Sequence, residues 1–375
     1  MRILFLGNAN NPLILNLATE LKRADATLII DIIAVNESAG ESAINTFNKI
    51  WITGTPQGFW NRKGLKTFWM LRRFRRVLKS VDVKYDFLHM FFLHVGFSGS
   101  VDILQRLAKK RIISVFGSEL YRSPEVVIRK LRSLVAISDH VTAANPDTLR
   151  DFRKRFGYPE GKTSICRFGL QPLRSIDAMK DVSKESHKAA IGIAPETFLI
   201  TCGYNASAGQ QHEAMINSIS AVKECLPDPY LLLFPVAMGG TATYISELEN
   251  KLKAANLNYK FIREFLPDSE LAHLRCATDI MIQIQITDQL AGAMQEHLYA
   301  GNVVITGAWL PYSVLDERGI VWWKTERVEM LRETFTSVIR EYKSNALRTR
   351  DNAGVIRDLS SWEQNIPIWY SLYQG

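Results

Sequence analysis

Short, nearly unbroken apolar runs recur along this chain, separated by stretches with helical spacing, and the alternation occurs twice. In the first half the runs are Ile3–Leu6, Thr27–Val35, Phe87–Phe92, Ile112–Phe116 and Leu134–Thr142. They are rich in Ile, Val, Leu and Phe and bounded by Gly, Asp or Asn, the signature of strands buried on both faces. Strands of that kind alternating with helices predict a parallel sheet covered on each side. The pattern restarts after residue 190, with strands expected at Phe198–Cys202, Tyr230–Val236, Asp279–Ile286 and Val303–Thr306. Helices are expected after Gly209, over Tyr244–Ala254 and over Leu290–Ala300. The expected fold is therefore α/β, with two Rossmann-like doubly wound domains. The length of 375 residues agrees, being too great for one ordinary core.

Residues 171–189 are polar and poor in apolar residues, and read as a linker. They divide the chain into a first domain over 1–170, a second over 190–355 and a C-terminal segment over 356–375. One helix is readable in detail: Asn145 or Asp147 can cap a helix through Leu149, Phe152 and Phe156 that stops at Gly157.

Charge is divided unevenly. Residues 1–180 hold 29 basic and 15 acidic residues, a net of +14, and the remainder holds 17 and 23, a net of −6. Such asymmetry calls for an anionic partner on the first half, and nucleic acid and anionic lipid both qualify. No nucleic-acid motif is present. The most basic stretch runs from Phe59 to Lys79, where Trp69, Arg72, Arg73 and Arg76 fall three to four apart. It suits either an interfacial helix on anionic lipid or a solvated helix whose apolar residues pack inward. The N-terminal apolar run is too short for a signal peptide, and no run approaches the ~20 residues of a membrane span. A cytoplasmic protein, peripheral on the inner face of the cell membrane, is expected. The four cysteines, Cys166, Cys202, Cys225 and Cys276, are far apart and read as buried reduced thiols.

In open α/β sheets ligands bind beyond the carboxyl ends of the strands, so site residues should follow strands. Asp288 and Glu296 stand eight apart after the strand ending at Ile286, with Gly292 between them. A tight loop feeding a helix N-terminus there would cradle a diphosphate, and Glu296 would accept from ribose hydroxyls. The bland alternative is an ordinary helix with an Asp cap and a solvated Glu. The loop Gly203, Tyr204, Asn205 through Gln210 and His212 follows the first strand of the second domain and can offer backbone amides to phosphate oxygens. Arg263, after another strand, is an alternative diphosphate partner or a solvated side chain. In the first domain His94 lies beyond Phe87–Phe92, where an acceptor-side base belongs. Glu119 is its rival, or a loop carboxylate paired with Arg122, and His89 reads as a core or hinge residue. No Asp-x-Asp pair occurs, so no metal and no cofactor is expected, and loop amides would stabilise the leaving diphosphate.

These residues carry a resemblance. Phe265-Leu-Pro-Asp-Ser-Glu-Leu-Ala-His-Leu-Arg-Cys-Ala-Thr-Asp279, then Asp288-x7-Glu296, then Tyr299-Ala-Gly-Asn-Val-Val-Ile305 resembles the donor domain of glycosyltransferase family 4. Ile113-Ser-Val-Phe-Gly-Ser-Glu-Leu-Tyr-Arg122 is similar to the strand and Gly-Ser-Asp loop of its first domain, with Phe116 where the family has an aromatic or His. The resemblance implies the GT-B fold, in which the last helix returns to the first domain; Trp362, Ile366, Trp369 and Tyr373 form a suitable apolar face. It also implies a nucleotide-sugar donor, with Asp288 on the donor sugar and Glu296 on the ribose. Asp288 replaces the family's usual Glu, Gln289 and Ala291 replace glycines, and the loop after Gly203 lacks the family's Arg and Lys. That loop, with Leu231-Leu-Leu-Phe-Pro-Val-Ala-Met-Gly-Gly240, is similar to the bacterial 4-acetamidofucose transferases that use lipid-linked acceptors. The implied activity is transfer of a sugar to a lipid-linked or glycan acceptor in surface polysaccharide or glycoconjugate assembly, with inversion or retention left open. The rival readings are a GT-B nucleotide-sugar epimerase, a sugar-binding protein without catalysis and a nucleic-acid-binding protein.

Overall fold

A computed structural model describes residues 1–35, 38–55 and 65–374, apart from the side chains of 66 and 67. The chain divides into two compact units, Met1–Gly169 with Trp362–Gly375, and Leu170–Ser361.

The first unit is built on seven parallel strands: β1 (Arg2–Gly7), β2 (Ile29–Ala34), β3 (Ile50–Ile52), β4 (Tyr85–Phe91), β5 (Ala108–Val115), β6 (His140–Ala143) and β7 (Thr163–Ile165). Their order is β3-β2-β1-β4-β5-β6-β7, so the winding direction reverses between β1 and β4. Successive side chains leave opposite faces of the sheet. Ile3 and Phe5 accordingly join Ile30 and Ile32 in one core, while Leu4 and Leu6 join Ile33, Leu88 and Met90 in the other.

The helix Pro12–Ala24 shows how local sequence sets an element. Asn11 caps it by accepting from the Leu13 N–H at 2.9 Å, Pro12 fits the first turn, and Lys22 and Arg23 complement the last. Ile14, Leu17, Ala18 and Leu21 are its buried stripe. The helix Pro146–Phe156 begins and ends as expected: Asn145 accepts from Thr148 N–H at 2.7 Å, and Gly157 closes it at φ 67°.

The second unit has six parallel strands, β8 (Phe198–Cys202), β9 (Tyr230–Pro235), β10 (Tyr259–Ile262), β11 (Ile280–Gln283), β12 (Val303–Gly307) and β13 (Trp323–Thr325). The order β10-β9-β8-β11-β12-β13 reverses between β8 and β11.

Four expectations need correction. The run Leu134–Thr142 is not one strand: Leu134–Ile137 ends the helix Glu125–Ile137, and only His140–Ala143 is extended. Residues 171–189 are not a bare linker. They hold the helices Pro172–Asp177 and Lys184–Ala190, both packed on the helix Asp268–Ala277, with Leu173 and Ile176 buried. The C-terminal segment divides at 361, because the helix Asn352–Ser360 belongs to the second unit and Trp362–Leu372 to the first. That last helix buries Trp362 and Trp369 and partly buries Ile366, and Tyr373 just after it is buried too. Gly169 leaves room for it, since a Cβ there would stand 2.4 Å from the Trp362 ring. All four cysteines are free; Cys166 and Cys202 are buried, but Cys225 is exposed.

Candidate functional site

Each reversal point carries a cluster of site residues. In the second unit the loops after β8 and β11 are bonded to one another. Ile286 N–H donates to Gly209 O at 2.9 Å and Gln285 Nε2 to the Tyr204 hydroxyl, while Gly203 N–H donates to Ile282 O of β11 at 2.9 Å. Gly203 holds φ 66°, where an added Cβ would lie 2.7 Å from Gln210 Oε1 and 3.1 Å from His212 Nε2. Asn205 folds the loop by accepting from Ser207 N–H at 2.9 Å. Gln210 and His212 are fully buried. Among the described residues neither polar atom of the Gln210 side chain nor His212 Nε2 has a hydrogen-bond partner. Unpaired buried polar atoms are costly and rare, and three of them lie close to one glycine. His212 Nδ1 lies 3.1 Å from the Tyr244 hydroxyl, and burial brings its pKa down to about 4, so it is neutral at pH 7.

Glu296 sits in the helix Gly292–Tyr299 and is buried, not solvated. Its Oε2 accepts from Arg275 Nε at 2.9 Å, and Arg275 also donates Nη1–H to His297 Nε2 at 3.1 Å. Oε1 faces the start of the helix, 4.0 Å from where a Gly292 Cβ would stand. Asp288, half-buried in the loop before that helix, accepts from the hydroxyl of fully buried Tyr312. Burial and the Asp288 charge hold the Tyr312 phenol well above its usual pKa, so it remains a donor. Arg275 and Tyr312, which position the two carboxylates, were not singled out from sequence. Arg263 is elsewhere: it follows the edge strand β10, is exposed, and stands 3.6 Å from Glu249.

In the first unit a half-open cavity of about 670 Å³ lies at the reversal between β1 and β4. His94 lines it and caps the short helix Val95–Ser98 by accepting from Gly96 N–H on Nδ1 at 3.1 Å. Partial desolvation lowers its pKa, so the ring is neutral near pH 7 with its proton on Nε2, and that edge is a donor. Phe92, also on the wall, is held at φ 73°, a left-handed conformation that is strained for a bulky residue. His89 is a core residue, bonded to Tyr373 and at 2.7 Å to Ser114.

Glu119 is 2 % exposed, and its Oε1 accepts from Phe116 N–H at 2.8 Å. Burial pushes its pKa up to about 7, against the pull of main-chain N–H groups of Phe116, Glu119, Leu93 and Gly117. The carboxyl is thus engaged with the loops after β4 and β5. Because the folded state holds this proton more tightly than the unfolded chain, its stabilising effect is complete below about pH 4.5 and is lost as pH rises through about 7. Glu119→Gln removes that dependence. The stability of the variant relative to wild type should rise by on the order of 3 kcal/mol between pH 4.5 and 8. Hydrogen exchange of the β4 and β5 amides at the two pH values measures it, and an unchanged difference would show a solvated carboxyl.

The basic helix Leu65–Lys79 buries Phe74, Val77 and Leu78. Its apolar face therefore packs inward, while Arg72, Arg73 and Arg76 are exposed beside half-buried Trp69 and the 56 % exposed Phe68. Arg75 is occupied by Asp102, with two contacts of 3.0 Å. Residues 59–64 of the basic segment, Trp60 among them, lie outside the described residues. Among the described residues no group of three or more His, Cys, Asp or Glu could hold a metal, and no helix is long and apolar enough to cross a membrane.

Residues 12–170 match the sequence family Glycosyltransferase Family 4. No curated protein matches the chain by sequence. Among solved structures, HepE of Anabaena in complex with UDP and glucose aligns over all of both chains at 14% identity and a TM-score of 0.73. Sucrose-phosphate synthase of Thermosynechococcus elongatus aligns over 100% of this chain and 98% of its own at 13% identity and 0.75. WaaG, a glycosyltransferase involved in lipopolysaccharide biosynthesis, aligns over all of both chains at 13% and 0.70. Two parallel Rossmann-like units with these structural neighbours are the GT-B fold, and the first unit carries the family 4 match over residues 12–170.

Proposed function

We propose that the protein is a metal-independent glycosyltransferase that moves a sugar from a nucleotide-sugar donor to a lipid-linked acceptor in surface polysaccharide or glycoconjugate assembly. The observation that carries this reading is the bonded pair of loops after β8 and β11, which brings Gly203, Gln210 and His212 to the same end of the sheet as Asp288, Gly292 and Glu296. In this reading Glu296 Oε1 accepts from the ribose and Asp288 orients the donor sugar. The loop between β8 and the helix His212–Ser220 contains no Lys or Arg. Main-chain amides therefore supply that loop's donors to the leaving diphosphate, with Gln210 and neutral His212 buried beside Gly203. His94 Nε2–H orients the acceptor, and Glu119 positions the loops around it. The UDP and glucose in the HepE complex and the lipopolysaccharide role of WaaG support the donor and acceptor classes.

Calorimetric titration with UDP, GDP, TDP and CMP in excess EDTA tests the donor side. One nucleotide should bind, and Glu296→Gln should weaken it by about 1.5–3 kcal/mol, the worth of a charge-assisted hydrogen bond. Binding only after Mg²⁺ or Mn²⁺ is restored would overturn the metal-free reading, and equal affinity in the folded variant would remove Glu296 from the site. The exposed Arg72, Arg73 and Arg76 support attachment to an anionic membrane surface. The protein should sediment with anionic vesicles and release as salt rises; indifference to such vesicles would favour a soluble acceptor.

A further inference from the structure

The cavity at the β1/β4 reversal is a poor place for a sugar. Its wall is mainly apolar or aromatic, including Ile14, Met70, Phe74, Phe91, Phe97 and Phe116. Four polar side chains also reach it, and each already has a main-chain partner. Asn8 accepts from Asn10 N–H at 2.9 Å, Asn11 from Leu13 N–H at 2.9 Å and His94 from Gly96 N–H at 3.1 Å, while Thr53 donates to Ala34 O at 3.2 Å. A saccharide placed there would give up water around many hydroxyls for a few remaining N–H groups, at a cost of roughly 1–3 kcal/mol for each hydroxyl left unpaired. A hydrocarbon chain brings no hydroxyls of its own to leave unpaired, and a volume of about 670 Å³ is that of a ligand site, not a packing defect.

The rim has the opposite character. The basic helix Leu65–Lys79 contributes Met70, Leu71 and Phe74 to the wall, while its Arg72, Arg73 and Arg76 are exposed. Arg73 is fixed at the edge, its Nε–H donating at 3.4 Å to the carbonyl of Thr53, a wall residue. An apolar slot whose neighbouring helix also presents arginines fits an amphiphile with a phosphate head.

We propose that this cavity seats the hydrocarbon chain of a phosphate-bearing lipid, with Arg73 at the head group. That this lipid is the acceptor rests on the transferase reading above; the seat itself does not. Calorimetry of the full-length protein with farnesyl phosphate below its micellar concentration tests it, with farnesol, inorganic phosphate and glucose as comparisons. Farnesyl phosphate should bind saturably at one site with a negative heat-capacity change, and phosphate or glucose alone should not. Met70→Arg puts a charge on the wall at a site that tolerates exposure, and should cost about tenfold or more in affinity for both farnesyl ligands. Arg73→Gln should weaken farnesyl phosphate severalfold and leave farnesol unchanged. No saturable binding, unaltered affinity in folded Met70→Arg, or binding confined to phosphate would each overturn the proposal. Wild-type protein that binds farnesyl phosphate but no nucleotide would sink the transferase reading and leave the seat standing; the converse would do the reverse.

Discussion

Replacing Arg275 by Ala should destabilise the second unit by about 3–5 kcal/mol, the usual penalty for stranding one partner of a buried ion pair. Both groups are buried, with side-chain exposures of 6% for Arg275 and 9% for Glu296. Removing the guanidinium leaves the Glu296 carboxylate without its cation and takes a donor from fully buried His297, whose pKa burial already holds well below the usual range. The double variant Arg275→Met, Glu296→Leu should regain most of the stability, because apolar replacement of both partners removes the desolvation cost. It should not regain nucleotide affinity. Denaturant unfolding with a probe in the second unit measures the first effect, and calorimetry the second. A loss under 1 kcal/mol in Arg275→Ala would mean that water reaches Glu296, and its assignment as a preset ribose acceptor would weaken.

Trp369→Ala should cost the first unit about 3–5 kcal/mol, the range for deleting a buried large aromatic. Trp369 is fully buried, its ring centroid lies 5.2 Å from that of Phe168 and 5.6 Å from that of His89, and its Nε1–H donates to Arg167 O at 2.7 Å. The consequence should be visible at His89, whose pKa burial lowers to about 3. If the C-terminal helix loosens, that imidazole regains water and should titrate closer to its ordinary 6.5. Ring-proton chemical shifts followed against pH report this directly. An unshifted His89 in a destabilised variant would mean that the helix stays docked around a cavity.

The parts that were readable from sequence are those whose burial is continuous along the chain. β1, β4, β5, β8 and β12 are covered on both faces, so their apolar runs stand out without knowledge of partners. β3, β7 and β13 have three residues each, too few for any period to register. Leu134–Thr142 misled because an apolar helix end meets a short strand with only Ser138 and Asp139 between them. The helices of 171–189 were missed because each is one or two turns long and buries few side chains.

At the site, Asp288, Glu296 and Glu119 were found as carboxylates after strands, but their partners were not. Arg275 lies 21 residues before Glu296, and Tyr312 24 residues after Asp288. Such pairings depend on tertiary packing and leave no local pattern. The one usable hint was a charged residue, Arg275, set in the apolar stretch Leu274-Arg-Cys-Ala277. Arg263 followed a strand as the rule asks, yet β10 is at the sheet's edge, with β9 and β8 between it and β11. Strand order, which the sequence does not display, decided the matter.

The first unit is discontinuous in the chain, and this has a bearing on how it is made. Its sheet is complete by Ile165, but Trp362, Trp369 and Tyr373 of the same core are about two hundred residues downstream. On a ribosome, where synthesis runs from the N-terminus, Phe87, His89 and Phe168 emerge without the rings that cover them. The unit that starts first is therefore the last to close, and its aromatic surface stays uncovered while the second unit is translated.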